Sequence, residues 1–309
     1  MFYRIKDGLA QITPEQADGS GLTAGFVDVQ TLGTLYERFG FAPSTVEACG
    51  SVNAYFRSGV EVYEDYIFTE LRVAGVAGET DDCVALYLRR NEMLLVDIVD
   101  ADGSTRRKFE AALRRCAAGQ ASVEKLLCCF IEALVAEAPR YIETTRNQIA
   151  AIEESILDEK VDKTLNHTLL SLKQELLRMH NYYDQLLDIT ETVEEDEMDL
   201  FTEKGLMIVS NLSEKLRRLR EDIDALGSGV DHLQDAYTSV LDLELNNSMK
   251  FFTVLSMVFF PLTIIVGWYG MNFNSMPEFA WKYGYIYVIA LSVIVVSVLT
   301  IFAKRRRWF

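Results

Sequence analysis

The spacing of apolar residues divides this chain into three stretches. Up to about residue 115 they come in short runs: Gly25–Val29, Val60–Glu70, Cys83–Leu88 and Met93–Val99. These runs are rich in Val, Leu, Tyr and Phe, and turn signals such as Gly78–Asp82 and Asp102-Gly103-Ser104 separate them. Such runs predict strands. Thr31–Phe39 and Arg106–Arg115 predict helices between them, and the pattern sets no strand order. From Ser122 the period becomes helical. Ser122–Asp158 reads as one segment with a bend at Pro139. The next carries Leu165, Leu169, Leu172, Leu176, Met179, Tyr183, Leu186 and Val193, with Thr190 as its weak position. A third carries Leu212, Leu216, Leu219, Ile223, Leu226, Val230, Leu233, Tyr237 and Val240. Spacings that alternate 4 and 3 over many turns predict long helices packed along one another.

The third helix meets only Gly229, Pro261 and Gly267 as opposing signals between Ser228 and Trp268. It is expected to run from about Leu200 to Gly267, roughly 100 Å at 1.5 Å per residue. Its last part enters the third stretch. Phe251–Trp268 is 18 residues without a charge, and Tyr283–Ala303 is a second uncharged run of 21. Each is long enough to cross a ~30 Å hydrocarbon core as a helix. Lys304-Arg305-Arg306-Arg307 follows the second run and belongs on the cytoplasmic side. Both termini are then cytoplasmic and the connecting loop is outside. Trp268, Tyr269, Trp281, Tyr283, Tyr285 and Trp308 sit where interfacial aromatic belts are expected.

The predicted fold is an α+β cytosolic domain with long coiled-coil-like helices, followed by a two-span transmembrane helical hairpin. Residues 1–115 form the α/β domain and 116–249 a helical stalk or funnel. Residues 250–309 form the membrane domain, with spans 250–268 and 283–303, and the long third helix continues into the first span.

Charge sharpens this division. Residues 1–249 have a net charge of −21 and residues 250–309 a net of +5, together the −16 of the whole chain. An acidic soluble part disfavours nucleic acid and attracts cations. The five cysteines, Cys49, Cys83, Cys116, Cys128 and Cys129, are odd in number and lack CxxC spacing. They read as reduced thiols of a cytosolic compartment. Met1-Phe-Tyr-Arg-Ile-Lys6 has no apolar core of a signal peptide, so the N-terminus is expected to stay in the cytoplasm.

One face of the first span is not apolar. Asp235, Ser239, Asp242, Asn246, Met249, Thr253, Ser256, Phe260, Thr263 and Gly267 recur at alternating spacings of 4 and 3. All but Phe260 are polar, small or soft. Their neighbours Phe251, Val254, Leu255, Val258, Phe259, Leu262, Ile265 and Val266 are apolar. A helix alone in lipid has no use for such a stripe, which faces other helices or water. Two readings compete: helix–helix hydrogen bonding by Ser and Thr, and a pore lined by one helix per subunit. The second requires a homo-oligomer, because one hairpin encloses nothing.

The first span ends in Tyr269-Gly270-Met271-Asn272-Phe273, with Met276-Pro277-Glu278 after it. This resembles the CorA family of magnesium channels. Phe260-Pro261-Leu262-Thr263, Gly267, the basic tail with Trp308-Phe309, and Val60–Phe68 are similar to that family as well. The resemblance covers roughly residues 50–309. It implies a homopentamer in a lipid bilayer, with Tyr269, Gly270, Met271 and Asn272 at the outer selectivity ring. It also implies that Asn246, Met249, Phe260 and Thr263 line the pore, joining Thr253 and Ser256 of the stripe. Mg²⁺ sheds water reluctantly, and a ring of Asn oxygens can accept hydrogen bonds from the water of a hydrated ion. Gly270 is expected to let the backbone turn after the helix.

The family also implies a regulatory Mg²⁺ between subunits. Asp235 matches an acidic position near the pore mouth. Where the family has a helix Asp, this chain has Asn211. Asp235, Asp242, Glu79, Asp81, Asp82 and Asn211 are the candidate regulatory residues.

The implied function is Mg²⁺ transport at the cytoplasmic membrane, with Co²⁺ or Ni²⁺ as further cargo and no organic cofactor. Alternatives are a Zn²⁺ transporter of the same fold, against which Met271 speaks, and a non-conducting scaffold or metal sensor. An enzyme is not expected: the chain has no P-loop, GxSxG or HExxH, and His167, His180 and His232 read as isolated on helices.

Overall fold

A computed structural model describes residues 1–6, 8–17, 21–50, 59–75, 81–100, 102–157, 164–271 and 281–305. The chain divides into two units, Met1–Leu233 and Gln234–Phe309.

The first unit is built on a seven-stranded mixed sheet. Its strands are β1 (Phe2–Ile5), β2 (Leu9–Ile12), β3 (Leu22–Asp28), β4 (Val60–Val62), β5 (Ile67–Val73), β6 (Asp82–Arg89) and β7 (Glu92–Val99), in the order β2-β1-β3-β7-β6-β5-β4. Every neighbouring pair is antiparallel except β3 with β7. The central strands are covered on both faces, so they read as nearly unbroken apolar runs rather than alternating ones. On one face Val27, Phe68, Ala85, Tyr87, Leu94 and Val96 pack under Leu32 and Phe39 of α1 (Val29–Phe39) and Cys49 of α2 (Pro43–Gly50). On the other, Phe26 meets Phe109 of α3 (Ser104–Ala117) at 5.9 Å, and Phe109 meets Phe130 of α4 (Val123–Leu134) at 6.0 Å. Gly25 is required here: a Cβ would lie 2.5 Å from Leu94 Cδ1 and 2.8 Å from Phe2 Cε1.

Three features depart from the sequence reading. The run Val60–Glu70 is two strands, because Tyr63 N donates to Tyr66 O at 2.9 Å and closes a turn between β4 and β5. The short β1, β2 and α2 carry too few residues to show a period. Ser122–Asp158 is not one bent helix. It breaks at Val135–Glu137 into α4 and α5 (Ala138–Leu157), with Pro139 in the first turn of α5. Proline lacks an N–H, and the first turn of a helix is where that loss matters least.

The long helices follow their periodicity. In α6 (Leu165–Glu195) all eight apolar positions of the alternating pattern, and Thr190, are buried. Then α7 runs as one helix over Glu203–Tyr269, 67 residues, with Leu212, Leu216, Ile223, Leu226, Val230 and Leu233 buried. Beyond Leu233, Tyr237 and Val240 are only half-buried. The second unit holds the rest of α7 and α8 (Gly284–Arg305). Their most apolar 18-residue windows have mean hydropathies of 2.1 and 2.7, and only 6% of each window is buried. A core helix of a soluble protein would be mostly covered, so these two are membrane spans.

Candidate ion pathway

The start of α7 is held by side chains of the first unit. Thr202 caps it, its Oγ1 accepting from Gly205 N at 3.1 Å. Glu124 of α4 is buried, and its Oε1 accepts from Thr202 N at 2.8 Å and Thr202 Oγ1 at 2.9 Å. Burial alone would raise the Glu124 carboxyl. Hydrogen bonds from Ser122 and Thr202 outweigh that and leave it below its ordinary value. Gly205 makes room for this contact, since a Cβ there would fall 2.3 Å from Glu124 Cδ. Further along, Arg217 pairs with Glu191 at 2.8 Å, Arg220 with Asp184 at 2.9 Å and Lys173 with Asp231 at 2.6 Å, tying α6 to α7. His180 is not isolated, as the sequence suggested. Its Nδ1 lies 2.6 Å from Asp224 Oδ1 and its Nε2 3.1 Å from Asp184 Oδ2. Asp184 is one turn along α6, which spacing could show; Asp224 is on α7, which it could not.

In the second unit the polar stripe stays exposed. Asp235, Asp242, Asn246, Met249, Thr253, Ser256, Phe260 and Thr263 are all exposed, Met249 and Phe260 at 69% each. The covered side of the span is different: Val254 is buried, and Met257, Val258, Pro261, Leu262, Ile265 and Tyr269 are half-buried. At 100° per residue the centres of these two sides are roughly 140° apart around the helix. Thr253 Oγ1 donates to Met249 O at 2.7 Å and Thr263 Oγ1 to Phe259 O at 2.9 Å. Each hydroxyl proton is therefore spent on the helix itself, and the oxygen can still accept a hydrogen bond from outside. Pro261 has no N–H for the Met257 carbonyl, which leaves an acceptor in mid-span.

Gly270 ends the helix, its N–H donating to Val266 O at 2.8 Å. The backbone leaves the helix here as expected, without a φ in the left-handed region. A Cβ at Gly270 would sit 2.9 Å from the Val266 carbonyl oxygen. Close approach to the last turn, not an inverted φ, requires the glycine. Met271 is described and exposed. Asn272, Phe273 and the Met276-Pro277-Glu278 loop lie outside the described residues, as do Glu79 and Arg306–Phe309.

The candidate regulatory residues have separate surroundings. Asp81 pairs with Arg178 and accepts from Gly75 N at 2.9 Å. Asp82 is buried and accepts from Ser104 Oγ and Thr105 Oγ1. Asn211 donates to Met207 O of its own helix at 2.8 Å. Asp82 has two acidic neighbours the sequence reading missed, Asp100 and Asp102, the three carboxylates meeting within 4.8 Å. All five cysteines are free. Burial pushes Cys49 and Cys128 up to about 12, so neither offers a thiolate to a soft metal near neutral pH.

An α/β unit and two lipid-length apolar helices, one of them with an exposed polar stripe, define an integral membrane protein. The chain belongs to the family of CorA-like Mg²⁺ transporter proteins, whose profile matches residues 26–306. The cobalt/magnesium transport protein CorA of Thermotoga maritima is 26% identical over 281 residues, 88% of this chain and 78% of that one. The magnesium transport protein CorA of Wolinella succinogenes is 33% identical over 141 residues, 45% of this chain and 43% of that one. Among solved structures, the complete CorA magnesium transporter of Methanocaldococcus jannaschii has the same fold. Its TM-score is 0.78 at 17% identity, over 100% of this chain and 98% of that one.

Proposed function

We propose that this chain carries Mg²⁺ across the cytoplasmic membrane as a homopentamer whose α7 helices line the pore, with Co²⁺ and Ni²⁺ as further cargo. The observation that carries the reading is the exposed stripe of α7. It runs along one helix from the acidic Asp235 and Asp242 through Asn246, Met249, Thr253 and Ser256 to Phe260 and Thr263. Around an axis, copies of the stripe would make a polar channel, while Leu255, Phe259 and Val266 would meet lipid or other helices.

The residues divide the work by their chemistry. Asp235 and Asp242 raise the local cation concentration through their charge. Asn246, Thr253, Ser256 and Thr263 offer neutral oxygens to the water of a hydrated ion. Neutral oxygen acceptors bind weakly enough for the ion to leave, which conduction needs. Asn272, next to Gly270 and Met271, supplies the selective ring at the outer end. Lys304 and Arg305 close the second span and keep both termini in the cytoplasm. Regulation by Mg²⁺ would fall to Asp235 and Asp242, because Asn211 lacks the charge of the acid it replaces.

The test is flux. Purified full-length protein in liposomes should admit Mg²⁺ to an entrapped fluorescent indicator, and should admit Zn²⁺ far less. Admission of Zn²⁺ but not Mg²⁺ would reassign the cargo. No flux of any divalent cation from correctly assembled oligomers would leave a scaffold or sensor.

A further inference from the structure

A second site stands apart from the ion pathway, inside the first unit. Asp82 opens β6, Asp100 follows β7, and Asp102 lies in the turn before α3. One carboxylate oxygen of each lies within 4.8 Å of the other two. Each acid also spends one oxygen on the start of α3. Asp82 Oδ2 accepts from Ser104 Oγ at 2.8 Å and Thr105 Oγ1 at 2.7 Å. Asp100 Oδ2 accepts from Arg106 N at 3.0 Å, and Asp102 Oδ1 from Ser104 N at 2.7 Å. The helix N-terminus thus gathers the three acids.

It does not satisfy them. Among the described residues no hydrogen-bond donor reaches Oδ1 of Asp82, which is 1% exposed. Asp100 Oδ1 is in the same position, and the two carboxyls are within hydrogen-bonding range of each other. Leaving a buried acceptor unpaired is costly, and more so when it is charged. Burial pushes the Asp100 carboxyl up; the Arg106 N–H lowers it, and the charge of Asp82 raises it further. Two neighbouring carboxyls, each with a buried oxygen that no donor among the described residues reaches, call for positive charge.

We propose that Asp82, Asp100 and Asp102 bind a hard divalent cation, Mg²⁺ or Mn²⁺, within a single subunit. A proton shared by Asp82 and Asp100 would satisfy that pair and leave a charge of −2 on the three acids. A divalent cation neutralises two of the three charges and draws on all three carboxylates. The donors are all oxygen, which suits Mg²⁺ and Mn²⁺ over soft metals. Asp82 is buried, Asp100 half-buried and Asp102 exposed, so the site opens to solvent at Asp102 and water can complete the shell. The ion would tie the β6–β7 hairpin to the start of α3.

This proposal is independent of the transport reading, and its readout is not flux. Thermal unfolding of the full-length protein in detergent is followed at pH 7.5, in a chelator and then in millimolar MgCl₂ or MnCl₂. Asp100→Asn should melt higher than the wild type in chelator, because a repulsion is gone. It should also lose at least about half of the wild-type shift on adding metal, as expected when one charged ligand is removed. Asp102→Asn, exposed and safe for folding, should lose metal response with little change in chelator. Equal metal shifts in all three proteins overturn the proposal. In that case a shared proton is the answer, and its signature differs. A carboxyl raised in the folded state binds more protons there than when unfolded, so stability in chelator would rise as pH falls from 8 to 6.

Discussion

The two units differ in where their polar groups find partners. In the first, polar side chains meet others of the same chain: Arg89 meets Asp65 at 2.9 Å, Arg115 meets Glu132 at 2.7 Å, and His180 sits between Asp184 and Asp224. In the second, Thr253 and Thr263 turn back on their own helix, while Asn246, Ser256 and Met249 face outward. Phe251, Phe259, Ile264 and Val266 are each more than half exposed there. So large an apolar surface marks contact with lipid or with other chains. The first unit makes these pairings within its own tertiary structure. The second leaves its polar stripe and its apolar surface for partners outside the chain, which the proposed function supplies as a bilayer and further copies.

That contrast can be broken by mutation. The largest effect belongs to the outer ring. Asn272→Ala should lower Mg²⁺ uptake by about tenfold or more, the scale of losing one hydrogen-bonding group (~1.4 kcal/mol) from every subunit's share of the ring. Gel filtration should show the oligomer unchanged. Normal uptake would place selectivity elsewhere.

Next comes the stripe. In a background without the five native cysteines, single Cys replacements at Asn246, Met249, Thr253, Ser256 and Thr263 should react with polar thiol reagents. Replacements at Leu255, Val258 and Leu262 should not. Equal reaction of both sets would mean that α7 lines no pore and that its polar face only joins helices.

A substitution in the first unit should act through stability alone. Glu124→Ala should cost about 1–3 kcal/mol by leaving Thr202 N and Oγ1 without their buried acceptor. The folded-state pKa of Glu124 is lowered, so its contribution is present above the unfolded value of about 4.3 and is lost as pH falls through the folded one. The stability gap between wild type and variant, read by urea unfolding, should therefore close below about pH 4. A gap that persists unchanged in acid would show that Glu124 acts by packing and not as a charged cap.

The smallest effect concerns the basic end of α8. Neutralising Arg305, Arg306 and Arg307 to Gln should raise Mg²⁺ flux by about twofold or less at low ionic strength. It should have no effect at physiological salt, where the screening length is ~8 Å. Unchanged flux at low salt would make these residues a topology signal only.

Much of this was legible in order along the chain. The positions Leu165 to Val193 of α6 are buried because a helix returns to the same face every three or four residues, whatever packs against it. The spans in α7 and α8 follow from composition, since a long uncharged run can satisfy nearly all its backbone groups within one helix. The stripe is likewise a property of one helix. The same locality made Thr31–Phe39 and Arg106–Arg115 recognisable as α1 and α3.

What the sequence missed is non-local. It set no order for the strands, because hydrogen bonds between β3 and β7 join residues about seventy positions apart, as in Thr23 with Glu92. It offered Asp81 and Asp82 together as metal candidates, and the fold separates their roles. Asp81 turns to Arg178, while Asp82 meets Asp100 and Asp102 across the β6–β7 hairpin. It placed Gly270 at the turn after the helix, and only the structure shows the nearness of the Val266 carbonyl there. Sequence alone determined the two spans and the polar face along the first, because helical period and transfer into lipid depend on neighbours within a few residues. The tertiary structure decided the sheet and the gathering of three carboxylates, because both depend on which distant segments the chain brings within hydrogen-bonding distance.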